Sequence, residues 1–181
     1  ARLDVPVIGV IDPGLRAASR VTRTGRVGVI GTVGTISSGA YQRAADAAAA
    51  GVELTCAACP GFVEFVEAGD VESDQVHVLA ERLLAPVRDA GVDTLVLGCT
   101  HYPLLARTIS DVMGRDVVLV SSADETAFEV RALLSGNGWA ASGGGPGRHS
   151  FLTSGDVETF RSLGARFLGP EVASVRHWAW T

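Results

Sequence analysis

The stretch Leu95-Val96-Leu97-Gly98-Cys99-Thr100-His101-Tyr102-Pro103-Leu104-Leu105 organises the whole chain. Three aliphatic residues run into a glycine, and a cysteine, a threonine and a histidine follow together. A short, uninterrupted apolar run reads as a strand buried on both faces of a sheet, here ending at Gly98. The pattern turns helical after Pro103, so Cys99 falls at a strand-to-helix turn. In open parallel sheets, ligands sit beyond the carboxyl ends of the strands. A helix start also favours thiolate over thiol, because its free N–H groups and dipole stabilise negative charge. A lone cysteine inside a strand reads as a small buried hydrophobe. A cysteine at such a turn, beside Thr100 and His101, reads as functional.

Upstream, Val76, Leu79, Ala80, Leu83, Leu84 and Val87 recur at helical spacing between Ser73, a natural N-cap, and Gly91, a natural stop. Leu83 and Leu84 read as core, and His77 as a surface or packed histidine. Val52 to Cys56 reads as a strand. Cys56-Ala57-Ala58-Cys59 spells CxxC, but a structural zinc site needs a second ligand pair, and His77, His101, His149 and His177 are scattered. The two cysteines therefore read as structural thiols, with no metal site. Val27 to Gly31 is another strand, followed by Thr32-Val33-Gly34-Thr35 and a helix through Tyr41. Small residues and two hydroxyls at a strand's carboxyl end suit an anionic ligand; on the residues alone a purely structural turn is the default. Val5 to Ile11 reads as a first strand, with Asp12 as N-cap of a helix to about Val21.

Downstream, Val117 to Val120 is a short strand, and the helix beyond it ends near Gly136. Ser142 to Gly147 reads as a flexible Gly-rich loop. His149 to Thr153, Asp156 to Leu163 and Val172 to Val175 read as strand, helix and strand. Trp178 and Trp180 close a core edge or contact a partner. Near-continuous apolar strands alternating with helices over short connections argue for an α/β chain with parallel sheets.

The 181 residues are 47% hydrophobic, ample for a core, and carry a net charge of −5. With no basic block, nothing points to nucleic acid or an anionic membrane. No apolar run reaches the length of a membrane span. An odd number of cysteines, three, suits reduced thiols and a cytoplasmic setting.

The GCTHYPLL segment resembles the second cysteine motif of glutamate racemases, cofactor-independent enzymes that supply D-glutamate for bacterial cell walls. Related aspartate racemases carry Glu after the Cys-Thr pair, so His101 favours the glutamate branch. VIGTVGTI is similar to a second motif of that family, and Thr32 and Thr35 match its carboxylate-binding threonines. Cys59 to Glu67 is similar to CPxFVPLVE, with Glu64 in place of the usual Pro; Glu67 then matches a glutamate with a supporting acid–base role. PVIGVID has Asp12 for the usual Glu, and Ser121 to Ala127 resembles IDSAxxxA with Ser121 for Asp.

The resemblance covers nearly the whole chain. It implies a flavodoxin-like racemase fold of two pseudo-symmetric α/β domains with the first one incomplete. Residues 1–11 would be a remnant of the first domain, 12–121 the second, and 122–181 the C-terminal part of the first. It implies Cys99 as one acid/base, His101 as its proton partner and Glu67 as an assistant. Thr32, Thr35 and Thr100 become contacts to glutamate, with no cofactor. A homodimer stays open. The family's other cysteine, in a CNTA-type motif, and its Asp-Ser loop do not occur here. The chain is accordingly read as the C-terminal two-thirds of such an enzyme, inactive by itself. The alternatives are an aspartate-type racemase and a non-catalytic binding or regulatory protein of the same fold.

Overall fold

The structure is a computed structural model that describes residues 5–48, 51–143, 145 and 147–180. It divides into two compact units between Ala140 and Ala141. Among the described residues, no helix is long and apolar enough to cross a membrane.

The first unit alternates helices and strands. Its elements are α1 (Ile11–Val21), β1 (Arg26–Gly31), α2 (Val33–Ser37), α3 (Ala40–Ala47), β2 (Glu53–Ala58), α4 (Phe62–Ala68), α5 (Asp74–Asp89) and β3 (Thr94–Leu97). A 3-10 turn (Tyr102–Leu105), α6 (Ala106–Met113), β4 (Val118–Ser121) and α7 (Ser122–Gly136) complete it. All four strands are parallel, in the order β2-β1-β3-β4. The apolar runs and short connections implied this parallel α/β sheet, and its order is the flavodoxin-like one that the resemblance implied. The order reverses between β1 and β3, because the chain builds outward to β2 and then crosses back.

β1 and β3 are buried on both faces, which is why they carry no polar alternation. Val27, Val29, Val96 and Val120 form one core cluster with Ala17 and Ala18 of α1 and Tyr41 of α3. The intervening residues face α5: a Cβ at Gly28 would meet Leu95 at 2.7 Å and Val87 at 3.4 Å. A side chain at position 28 would displace the Leu95 side chain of the neighbouring strand. Ser73 caps α5 by accepting the Val76 N–H, and Gly91 follows it at φ +64°, both as the sequence implied. Leu84 is fully buried there and Leu83 partly so.

Four local expectations differ. Residues 5–10 form no strand, and Val5, Val7 and Val10 are 64%, 74% and 58% exposed. A strand exists only where a neighbour takes up its backbone hydrogen bonds, and none of the described strands pairs with this segment. Asp12 is not an N-cap: α1 begins at Ile11 with Val10 at the cap, and Pro13 lies in the first turn, where its missing N–H costs nothing. The final strand lies three residues beyond its expected start, because Gly169–Glu171 winds into a 3-10 turn first. Trp178 and Trp180, 52% and 85% exposed, close no core edge.

The second unit contains β5 (Phe151–Thr153), α8 (Val157–Leu168) and β6 (Val175–His177), with β5 and β6 paired in parallel. Asp156 caps α8 by accepting the Thr159 N–H at 2.7 Å. Residues 144 and 146 of the Gly-rich Ser142–Gly147 stretch lie outside the described residues.

Candidate active site

β1 and β3 meet where the strand order reverses, the place at whose carboxyl end open α/β sheets bind ligands. Ile30 pairs with Leu97, and the Gly98 N–H donates to the Ile30 carbonyl at 2.8 Å, carrying the pairing one residue past β3. Thr32 and Cys99 therefore leave the sheet side by side. Cys99 is half-buried.

Cys99 does not stand at an α-helix start, contrary to the sequence expectation. Residues 99–101 form a turn, the 3-10 turn follows, and α6 begins only at Ala106. Pro103 has no N–H to give, and the local bonds span three residues: Tyr102 N–H to Cys99 O at 3.2 Å and Leu104 N–H to His101 O at 3.1 Å. The helix dipole acts only within its first turn, so it does not reach Cys99. The polar neighbour of the thiol is instead His101, whose Nδ1 lies 3.8 Å from Cys99 Sγ. His101 Nε2 lies 3.2 Å from Glu67 Oε1. A thiol, an imidazole and a carboxylate are thus in series, the last able to orient the ring.

Packing delivers Glu67 to His101. The Phe62 ring of α4 meets the Tyr102 ring edge-on at 5.4 Å, and the Tyr102 hydroxyl donates to the Cys59 carbonyl at 3.1 Å. Both aromatic residues are fully buried. Desolvation raises the Tyr102 hydroxyl far above the ordinary tyrosine range, so it stays a donor.

On the β1 side, Thr32 caps α2 by accepting the Thr35 N–H at 3.3 Å, and the two hydroxyls are 2.9 Å apart. They form one small polar pair beside the thiol turn. Thr100 is exposed next to Cys99. A depression of about 460 Å³ between α1 and α3, lined by Leu15, Arg16, Arg20 and Ala44 among others, includes none of these groups.

Cys56 and Cys59 are free thiols. Burial raises both, Cys59 to about 12. Among the described residues, no group of three or more His, Cys, Asp or Glu could hold a metal ion. Two side chains at this end of the sheet escaped the sequence reading. Tyr41 and Ser122 are both buried, and Ser122 Oγ donates to the Leu97 carbonyl at 2.7 Å. Neither residue type announces a site in a sequence.

A profile of the Asp/Glu/Hydantoin racemase family matches residues 1–129. The chain belongs to that family. This racemase-family chain is 54% identical over 175 residues to the glutamate racemase of Acidothermus cellulolyticus, covering 96% of the chain and 66% of the relative. It superposes on a glutamate racemase isoform of Bacillus anthracis with a TM-score of 0.88 and 40% identity, covering 99% of this chain and 66% of that one. A Francisella tularensis glutamate racemase in complex with D-glutamate gives a TM-score of 0.86 and 29% identity, over 98% and 65% of the two chains. The racemase-family chain spans less than two-thirds of the length of each.

Proposed function

We propose that these residues form one half of a cofactor-independent glutamate racemase site, with Cys99 as the acid/base on one face of the substrate α-carbon. The observation that carries this is the Cys99–His101–Glu67 series at 3.8 and 3.2 Å, next to the Thr32–Thr35 pair at a strand-order reversal. Racemisation removes the α-proton from one face and returns a proton to the other. In one direction the Cys99 thiolate takes the α-proton, forming S–H; in the other its S–H gives a proton to the carbanion. His101 holds or relays that proton, and Glu67 orients the ring.

Without an electron sink, the carbanion requires donors at the substrate carboxylate. The Thr32, Thr35 and Thr100 hydroxyls fill that role. The product, D-glutamate, would serve peptidoglycan synthesis in the cytoplasm.

A second acid/base must face Cys99 across the α-carbon. Cys59 is 1% exposed and Cys56 lies within β2, so neither suits that position. Residues 1–181 by themselves should therefore not interconvert the enantiomers. The partition into residues 12–121 as one domain and 1–11 with 122–181 as parts of another is part of this proposal. In its favour, the four-stranded sheet lies wholly between Arg26 and Ser121. The exposed Val5, Val7, Phe128, Trp139, Trp178 and Trp180 lie in the outer segments.

The test is conversion of each glutamate enantiomer in D2O, followed by proton NMR and chiral chromatography. Residues 1–181 alone should be inactive. A chain extended N-terminally with the family's CNTA-type motif should racemise glutamate, and Cys99→Ala should reduce turnover by about a thousandfold or more. Aspartate conversion in preference to glutamate would favour the aspartate-type reading. Glutamate-dependent stabilisation without turnover in the extended chain would favour a binding protein.

A further inference from the structure

We propose that Cys99, His101 and Glu67 give this chain a second activity, in which the Cys99 thiol is a nucleophile that hydrolyses small activated esters through an S-acyl intermediate. Racemisation needs an acid/base on each face of a carbon. Acyl transfer needs a nucleophile, a base beside it and a group that orients the base, and this chain carries all three. The activity uses the side chains of the racemase half-site without depending on glutamate as substrate.

The protonation state of the series follows from counting protons. An ionised carboxylate can only accept, so Glu67 Oε1 takes the proton of His101 Nε2 at 3.2 Å. A neutral imidazole carries one N–H, which leaves Nδ1 as an acceptor. Nδ1 is the atom 3.8 Å from Cys99 Sγ, so the basic nitrogen faces the thiol. Such contacts are long without substrate and tighten when a reacting group is bound.

The Thr32–Thr35 pair holds two hydroxyl protons. One is spent between the two oxygens, 2.9 Å apart. The other has no acceptor among the described residues, and is available to a developing acyl oxyanion. Cys99 is half-buried and the His101 and Glu67 side chains are partly exposed, so a short acyl group and water both reach the thiol.

In the first step the S–H proton passes to His101 Nδ1 as sulfur attacks the acyl carbon. The S–C bond forms, the C–O bond to the leaving group breaks, and that oxygen takes the proton from Nδ1. In the second step water attacks the thioester carbon and gives a proton to Nδ1. The S–C bond breaks, the carboxylic acid leaves, and the sulfur regains its proton. Nothing is oxidised or reduced.

The experiment follows p-nitrophenyl acetate with residues 1–181, by nitrophenolate absorbance and by mass spectrometry of the intact chain. A burst near one equivalent should precede steady release over many turnovers, with one acetyl group on Cys99. Cys99→Ala should lose both phases, and Cys56→Ala should keep them. His101→Ala should slow the burst by about a hundredfold, the low end of general-base catalysis. Glu67 is a positioning residue. Glu67→Ala should slow the burst, and Glu67→Gln, whose amide oxygen still accepts the Nε2 proton, should recover most of it.

One equivalent of Cys99 acetylation without further turnover would overturn the inference, because it shows an accessible thiol and nothing more. So would a burst unchanged in His101→Ala; should that variant not fold, His101→Gln gives the same comparison. Ester turnover by residues 1–181, without racemisation by the N-terminally extended chain, would remove the glutamate reading and leave this one. Racemisation there without ester turnover here would do the reverse.

Discussion

A Cβ on Gly98 would stand 2.8 Å from the Ile30 carbonyl oxygen, the backbone atom that already accepts the Gly98 N–H. That oxygen cannot move without opening the β1–β3 pairing. Gly98→Ala should therefore destabilise the chain by about 2 kcal/mol, within the range for overpacking a filled site. Urea unfolding checks this, and a midpoint equal to the parent's would mean that the backbone relaxes freely. Cys59 offers a second test. Burial holds its thiol up at about 12, so the buried S–H contributes stability in full below the ordinary cysteine range. That contribution should fade as pH rises toward 12. The stability gap between the parent and Cys59→Ala should narrow over that interval, and at neutral pH iodoacetamide should modify Cys99 well before Cys59. A gap that widens with pH would contradict the burial argument.

The loop after α1 and the start of β3 are joined at one carboxylate. Asp93 accepts from the Thr22 hydroxyl at 2.6 Å, the Arg23 N–H at 2.7 Å, the Thr24 N–H at 2.8 Å and the Thr94 hydroxyl at 3.1 Å. Desolvation, the largest single effect, opposes the charge, but the four hydrogen bonds together outweigh it and hold this carboxyl well below the usual aspartate range. A depressed acid stabilises the fold above its unfolded value, about 3.9, and loses that contribution as pH falls below it. Asp93→Asn should thus be less stable than the parent at pH 7, with the difference shrinking at pH 3. Unfolding midpoints across that range measure it, and a constant difference would rule out the charge as the cause. No sequence pattern singles out Asp93, because its partners converge only once β3 lies beside β1. The same limit explains the failed strand at residues 5–10: alternation and apolar content say that a segment can pair, not that a partner edge is there. The elements that were legible, α5 above all, carry their own caps and a one-sided apolar stripe. Cys99 and His101 stood out in the sequence because they follow a strand end, whereas Thr32 and Thr35 read by themselves as a structural turn and were singled out by resemblance. Glu67 entered the reading only through resemblance, and its contact with His101 was not foreseen, since no local rule brings α4 to the 3-10 turn.

Across the whole molecule, burial is uneven. β1 and β3 are central and covered on both faces, whereas Val172 is the sole buried hydrophobic among the described residues of the second unit. Amide hydrogen exchange should be slowest in residues 27–30 and 94–97 and fast in 151–153 and 175–177. Equal protection in the two units would show cooperative unfolding of the chain as one body. The sheet also has two unlike ends. Asp93 gathers its hydrogen bonds at the amino end of β3, and Cys99 leaves from the carboxyl end, with only the four residues of the strand and Gly98 between them. On the proposed function, the Asp93 anchor and the chemistry occupy opposite rims of one scaffold. A lineage moving to a new temperature has a rim on which to vary that leaves the thiol's surroundings alone, and a lineage drifting toward a new substrate has the other.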